Sequence, residues 1–175
     1  MHPGRKSATA LAAARAWALL YWPAVLTSGR DYLYFEKVEC TQQSLITTMT
    51  RGAAVITRNL IAVIPRESTG SVLVATLATR YDGDALRFVK ALLDDPAVDL
   101  EKLENALTSM YAGSHTRWVF PLAALETFKV TSGFFGMITL KMPRESVRRL
   151  VIRDKGGKPV AKAFLDGLPL QRAAS

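Results

Sequence analysis

The sequence predicts an α+β fold: a curved antiparallel sheet or partly open barrel with a C-terminal capping helix, an inserted helical hairpin and an N-terminal helix. Two observations predict the sheet. Runs of β-branched or alternating residues, bounded by Gly and Pro, recur from Tyr32 to Ile64 and again from Trp118 to Arg153. The helices follow from two apolar stripes at helical spacing between those regions and from a Pro-opened, Gly-terminated segment after them.

The chain starts with an Ala- and Leu-rich stretch, Ser7 to Leu20, that Ser7 is placed to cap and Pro23 limits. Residues 1–28 therefore read as an apolar helix, and residues 29–175 as the domain proper. Three readings of that helix stay open. It is a leader interrupted by Arg15, an interfacial segment carrying Trp17 and Trp22, or a helix packed on its own domain or a second copy.

From Tyr32 the period becomes two, with Tyr32 and Tyr34 alternating against Leu33 and Phe35. Arg51-Gly52 reads as a turn before a strand at Ala53 to Thr57. Arg58-Asn59 is a second turn, and Pro65 is expected to stop the run from Leu60 to Ile64. Ser71 to Thr79 is apolar without a decisive period. Ala85, Phe88, Val89 and Leu92 then form one helical stripe, and Leu100, Leu103, Leu107 and Met110 another. Asp99 is placed to cap the second helix and Gly113 to end it, so the insert spans about residues 82–113. Strands return at Trp118 to Phe120, Leu125 to Val130, Met137 to Met142 and Val147 to Arg153. The closing helix is expected to bury Val160, Ala163 and Phe164. Pro65-Arg66-Glu67-Ser68 recurs as Pro143-Arg144-Glu145-Ser146, and both copies read as hairpin connections.

Composition limits the function classes. The 175 residues are 49% apolar and 22% charged, which suits one globular domain. A lone Cys40 excludes an intrachain disulfide and any Cys-based zinc cluster. The formal net charge of +8 is uneven. Residues 1–30 carry four basic groups and no acid, whereas residues 76–116 hold seven acidic against four basic groups. From Arg117 onward, eleven basic groups face four acidic ones.

Three segments resemble the pleckstrin-homology-like superfold, in its bacterial and GRAM-type branches. Gly52-Ala53-Ala54-Val55-Ile56-Thr57-Arg58-Asn59-Leu60-Ile61 is similar to that family's glycine, apolar strand, polar pair and second strand. Pro121 to Phe128 looks like the segment introducing a later strand, and Gly133 to Leu140 like the hairpin after it. The resemblance implies a non-enzymatic platform for lipids, peptides or oligomer partners. The N-terminal helix and the insert depart from the minimal family pattern.

No catalytic, cofactor or metal constellation emerges from the residue types. His115, flanked by Ser114 and Thr116, supports only an alternative reading as a small hydrolase or transferase. Neither Gly133-Phe134-Phe135-Gly136 nor Gly156-Gly157-Lys158 has the spacing of a nucleotide-binding loop. The candidate anionic-ligand site is the basic cluster Arg144, Arg148, Arg149, Arg153, Lys155 and Lys158. Strand parity turns Arg149 and Arg153 outward and Arg148 inward. The expected partners are an anionic lipid or a protein, with a homo-oligomer open and nucleic acid disfavoured. Without a recognition helix or exposed stacking aromatics, the positive charge alone does not argue for nucleic acid. The expected setting is the cytoplasm, with peripheral attraction to a membrane surface.

Overall fold

The computed structural model describes residues 26–42, 47–72, 75–80, 83–114, 116–131 and 137–168. The helix expected over residues 1–28 lies almost wholly outside them. Eight strands are present among the described residues: β1 (Tyr32–Gln42), β2 (Thr47–Thr57), β3 (Leu60–Val72), β4 (Ala75–Arg80), β5 (Val119–Pro121), β6 (Thr127–Thr131), β7 (Met137–Lys141) and β8 (Arg148–Ile152). Three helices accompany them: α1 (Asp84–Asp94), α2 (Leu100–Met110) and α3 (Gly157–Asp166).

The strands run β4-β3-β2-β1-β8-β7-β6, all antiparallel, and the sheet curls into a half-barrel. β1 is its hub. Its whole length pairs with β2, and its second half, Val38 to Gln42, also pairs with β8. Short β5 stands off this path and pairs with the start of β3, from Leu60 to Ala62.

The β2–β3 region is buried on both faces, which explains why its sequence is continuously apolar instead of alternating. Ala54, Ile56, Ile61 and Val63 face the inside of the half-barrel with Phe35, Phe120, Leu140 and Leu150. Ala53, Val55, Ala62 and Ile64 face the opposite way, against Val89 of α1 and Leu103 and Leu107 of α2. Each of those three helix residues is fully buried, and each such side chain contributes about 1.5–3 kcal/mol. The inserted hairpin therefore covers the outer face of the first strands, while α3 packs Ala161 and Leu165 into the inner core.

Local chemistry sets the helix limits. Asp99 Oδ1 accepts from the Lys102 amide at 2.8 Å, as an N-cap should. Gly113, just past α2, adopts φ +81°, a conformation that favours glycine. Glu104 of α2 locks the β2–β3 turn, accepting from Thr57 Oγ1 at 2.5 Å and Asn59 Nδ2 at 3.0 Å.

Several local expectations are corrected. Arg51-Gly52 does not end a strand: β2 runs through it, with an irregular register where Gly52 opposes Pro65. A Cβ at Gly52 would collide with the Ile64 carbonyl, so close backbone approach demands the glycine. Pro65 likewise lies within β3, seated at that irregularity where no regular ladder bond is needed from it. Only the second copy of Pro-Arg-Glu-Ser is a hairpin connection; the first is strand. In α1, Phe88 is 48% exposed, because Ala85, Leu86, Leu92 and Leu93 occupy the inward face with Val89. In α3 the fully inward positions are Gly157, Ala161 and Leu165, and Val160 is 50% exposed. Gly157 is needed there, since a Cβ would press on Ile152 and Phe35. The helix begins two residues before Pro159, which rotates the buried stripe by one position.

Candidate functional site

The six clustered cations do not converge. β8 is five residues long, so its ends stand about 13 Å apart at the usual rise per residue. Arg144 and Arg148 lie at its entry, whereas Arg153, Lys155 and Lys158 lie beyond its far end. Arg149 takes the opposite parity to Arg148, opposing Thr41 of β1 and Thr139 of β7.

At the far end Arg153 is neutralised within the chain. Its Nε and Nη2 donate to Glu39 Oε2 at 2.9 and 2.5 Å, and its amide donates to the Lys37 carbonyl. Glu39 also pairs with Arg51, which reaches Glu67 at 3.2 Å. Glu36 pairs with Lys90 and Arg66, and those contacts hold its carboxyl below the usual range. These groups surround an open concavity of about 520 Å³. Four cations and three carboxylates line it among the described residues, and Arg51, Arg66 and Arg153 each pair with one of those carboxylates, so it presents little concentrated charge.

The entry end of β8 is different. A cleft of about 600 Å³ opens between the end of α2, the approach to β5 and the β7–β8 turn. Arg117, Arg144 and Arg148 line it, with Glu145 as the single acidic lining residue among those described. Gln42, Ser114, Thr116 and Ser146 add neutral polar groups, and Tyr111, Trp118 and Val119 supply apolar surface. That size and mixture suit a small-molecule group.

Arg148 is the unusual member. Inward parity places it across from Gln42 and Leu140, and only 6% of the residue is exposed. Its guanidinium carbon lies 6.0 Å from the centre of the Trp118 ring and 5.9 Å from that of Phe120. Ring faces attract a cation, but they do not replace hydrogen bonds. Its Nε has no hydrogen-bond partner among the described residues, and no carboxylate there forms an ion pair with it. Burial pulls the Arg148 guanidinium down, with partial compensation from the Cys40 sulfur and the Glu145 carboxylate. An arginine nevertheless keeps its charge at any ordinary pH. The thiol of Cys40 is itself pushed up to about 11 by burial, so it faces Arg148 as a neutral group.

No family model, curated protein or solved structure matches this chain.

The β7–β8 turn aims a second arginine at the same place. Glu145 N donates to the Met142 carbonyl at 3.1 Å, which closes a four-residue turn with Pro143 and Arg144 at its centre. Arg144 has φ +61°, the one positive value at a non-glycine among the described residues. Gly or Asn normally occupies such a position. Across the cleft, Arg117 Nε donates to Glu145 Oε1 at 2.6 Å.

Arg117 is the cleft-lining cation that the cationic cluster left out. It lies 27 residues before Arg144, and only the fold brings the two to one cleft. The adjoining Arg117-Trp118 pair at a strand entry was the available signal. His115, on which the enzymatic alternative rests, lies outside the described residues. Among the described residues, no group of three His, Cys, Asp or Glu side chains is placed to hold a metal ion. No described helix is long and apolar enough to cross a membrane.

Proposed function

We propose that this chain is a non-enzymatic binding module of the pleckstrin-homology-like kind, whose cleft at the entry of β8 recognises an oxyanionic group. Support for the architecture comes from the strand order, in which β1 joins the β2–β4 half to the β8–β6 half, and from the closing helix α3. The observation that carries the function is Arg148, a buried cation at the wall of an open cleft with no carboxylate paired to it among the described residues. Burying a charge costs several kcal/mol unless hydrogen-bonding and ionic partners replace water. A guanidinium fork matches two oxygens of a carboxylate or phosphate, and such a ligand supplies the missing counter-charge.

The test is an amide NMR titration of the full chain with inorganic phosphate and with acetate at low ionic strength. Binding in the cleft shifts amides of Arg117, Trp118 and the Arg144–Arg148 segment. Shifts confined to Arg153, Lys155 and Lys158, or none at all, refute this site.

A second reading is peripheral attraction to an anionic membrane surface, favoured by the exposed cations Lys129, Arg144 and Lys155 in the basic C-terminal part. Co-sedimentation with anionic but not neutral vesicles, weakening steeply with salt, is its expected signature. Equal recovery with both vesicle types refutes it.

A further inference from the structure

The cleft already contains one carboxylate, and its position is informative. Glu145 stands on the same tight turn as Arg144, and its Oε1 accepts from Arg117 Nε at 2.6 Å. Its side chain is 30% exposed and that of Arg117 42%. It also lies within electrostatic reach of Arg148, although it makes no ion pair with it. Among the described residues the cleft therefore presents three cations and one acid, which engages the exposed Arg117. The mouth holds only one such acid, so it competes with any oxyanion that enters.

The rest of the lining limits the body of the ligand. Tyr111, Trp118, Val119 and Pro121 form an apolar wall beside the cationic one. Trp118 and Val119 are already buried, so a bare ion leaves Tyr111 and Pro121 wet, whereas a flat apolar group lying against them removes apolar area from water.

We infer that Glu145 is a built-in counter-ion of this cleft, displaced when an oxyanion carried on a flat apolar body binds to Arg117 and Arg148. This rests on the reading of the cleft as an oxyanion site. The recognised chemistry is a carboxylate or a phosphate monoester attached to an aryl-like group. The turn that carries Glu145 holds Arg144 at φ +61°, a conformation that glycine adopts at less cost. The displaced Glu145 moves to solvent, and Arg117 exchanges one oxyanion partner for another.

The experiment measures dissociation constants of the full chain for benzoate, phenyl phosphate, acetate, inorganic phosphate and benzyl alcohol, with the Arg117 Nε–H resonance followed by NMR. Benzoate or phenyl phosphate is expected to bind at least tenfold more tightly than acetate or inorganic phosphate, and benzyl alcohol not measurably. Tighter binding of benzoate identifies a carboxylate ligand, and tighter binding of phenyl phosphate a phosphate; either supports the inference. Glu145→Gln is expected to tighten the better aryl ligand about three- to fivefold, the worth of a partly exposed ion pair. Glu126→Gln makes the same charge change at an acid paired with Lys141 outside the cleft, and should leave the constant within about twofold.

Arg148→Met is expected to weaken binding at least tenfold without lowering the melting temperature. Arg144→Gly should melt higher yet bind more weakly, because it relieves the turn and removes a cation. If Glu145→Gln binds no more tightly than the Glu126→Gln control, or the Arg117 resonance is unmoved by ligand, the counter-ion role is overturned while the oxyanion site stands. If acetate equals benzoate, the apolar wall is not used and the inferred ligand class is wrong. If none of the anions binds the wild-type chain or Glu145→Gln, the oxyanion reading itself fails.

Discussion

Arg148→Met should stabilise this protein, although it removes a buried side chain's charge and with it the attraction of that charge to two rings. The wild-type Arg148 is 6% exposed as a residue, lacks an ion pair and leaves its Nε unsatisfied among the described residues. Such desolvation costs several kcal/mol per ion even after relaxation. Against it stand two cation–ring contacts at about 6 Å, worth roughly 1 kcal/mol each at partly desolvated sites. Methionine has a similar reach, keeps the apolar contact with Trp118 and Phe120, and carries no charge to desolvate. The expected gain is about 1–2 kcal/mol, or roughly 2–8 °C in melting temperature for a chain of this size. Arg148→Ala provides the comparison, because it removes the charge and also empties the space of the stem. It should be about 2 kcal/mol less stable than the Met variant. Urea unfolding of all three proteins at pH 7 measures the differences. A Met variant less stable than wild type by more than 1 kcal/mol would refute the reasoning, since Arg148 would then be fully compensated in the free protein and would need no ligand.

Three further outcomes follow from the fold. Gly52→Ala should cost about 3 kcal/mol or more, because the new methyl collides with the Ile64 backbone in the middle of the sheet; chemical denaturation checks it, and a loss under 1 kcal/mol would mean that β2 and β3 separate easily there. Cys40 should make stability fall as pH rises, since burial raises its folded pKa to about 11. Its contribution is complete below the unfolded value near 8.5–9 and is lost as pH rises through the folded value, by about 2–3 kcal/mol in all. Cys40→Ala should flatten that decline between pH 9 and 11, and an unchanged pH profile would count against a buried neutral thiol. Glu104→Ala should destabilise by about 1–2 kcal/mol, because Thr57 Oγ1 and Asn59 Nδ2 lose their shared acceptor at the β2–β3 turn. Thermal melting checks that loss, which a Glu104→Gln variant should partly restore.

The candidate site shows how far residue order reaches. The inward parity of Arg148 followed from Leu150 and Ile152 on the same strand, and β8 has that alternation. The basic run itself was misleading as a unit, because an extended strand separates residues close in sequence by about 3.3 Å at every step. The opposite error hid Arg117, which local spacing leaves alone and which the β7–β8 turn meets only through Glu145. Gly52 and Pro65 looked like strand ends because each is a strong local breaker. Paired with each other at one irregularity, they let two long strands continue.

By itself the sequence determined the class of this protein: antiparallel strands, the helical insert capped by Asp99, and the closing helix ended near Gly167. Those features arise from local periodicity and capping, which act over a few residues and are legible without distant contacts. The tertiary structure alone decided which face each helix buries, which cations neutralise one another and which arginine is left buried without a carboxylate. Those outcomes depend on strand pairing across long separations, as between β1 and β8. Electrostatic energy depends on distance and burial in space, and position along the chain encodes neither.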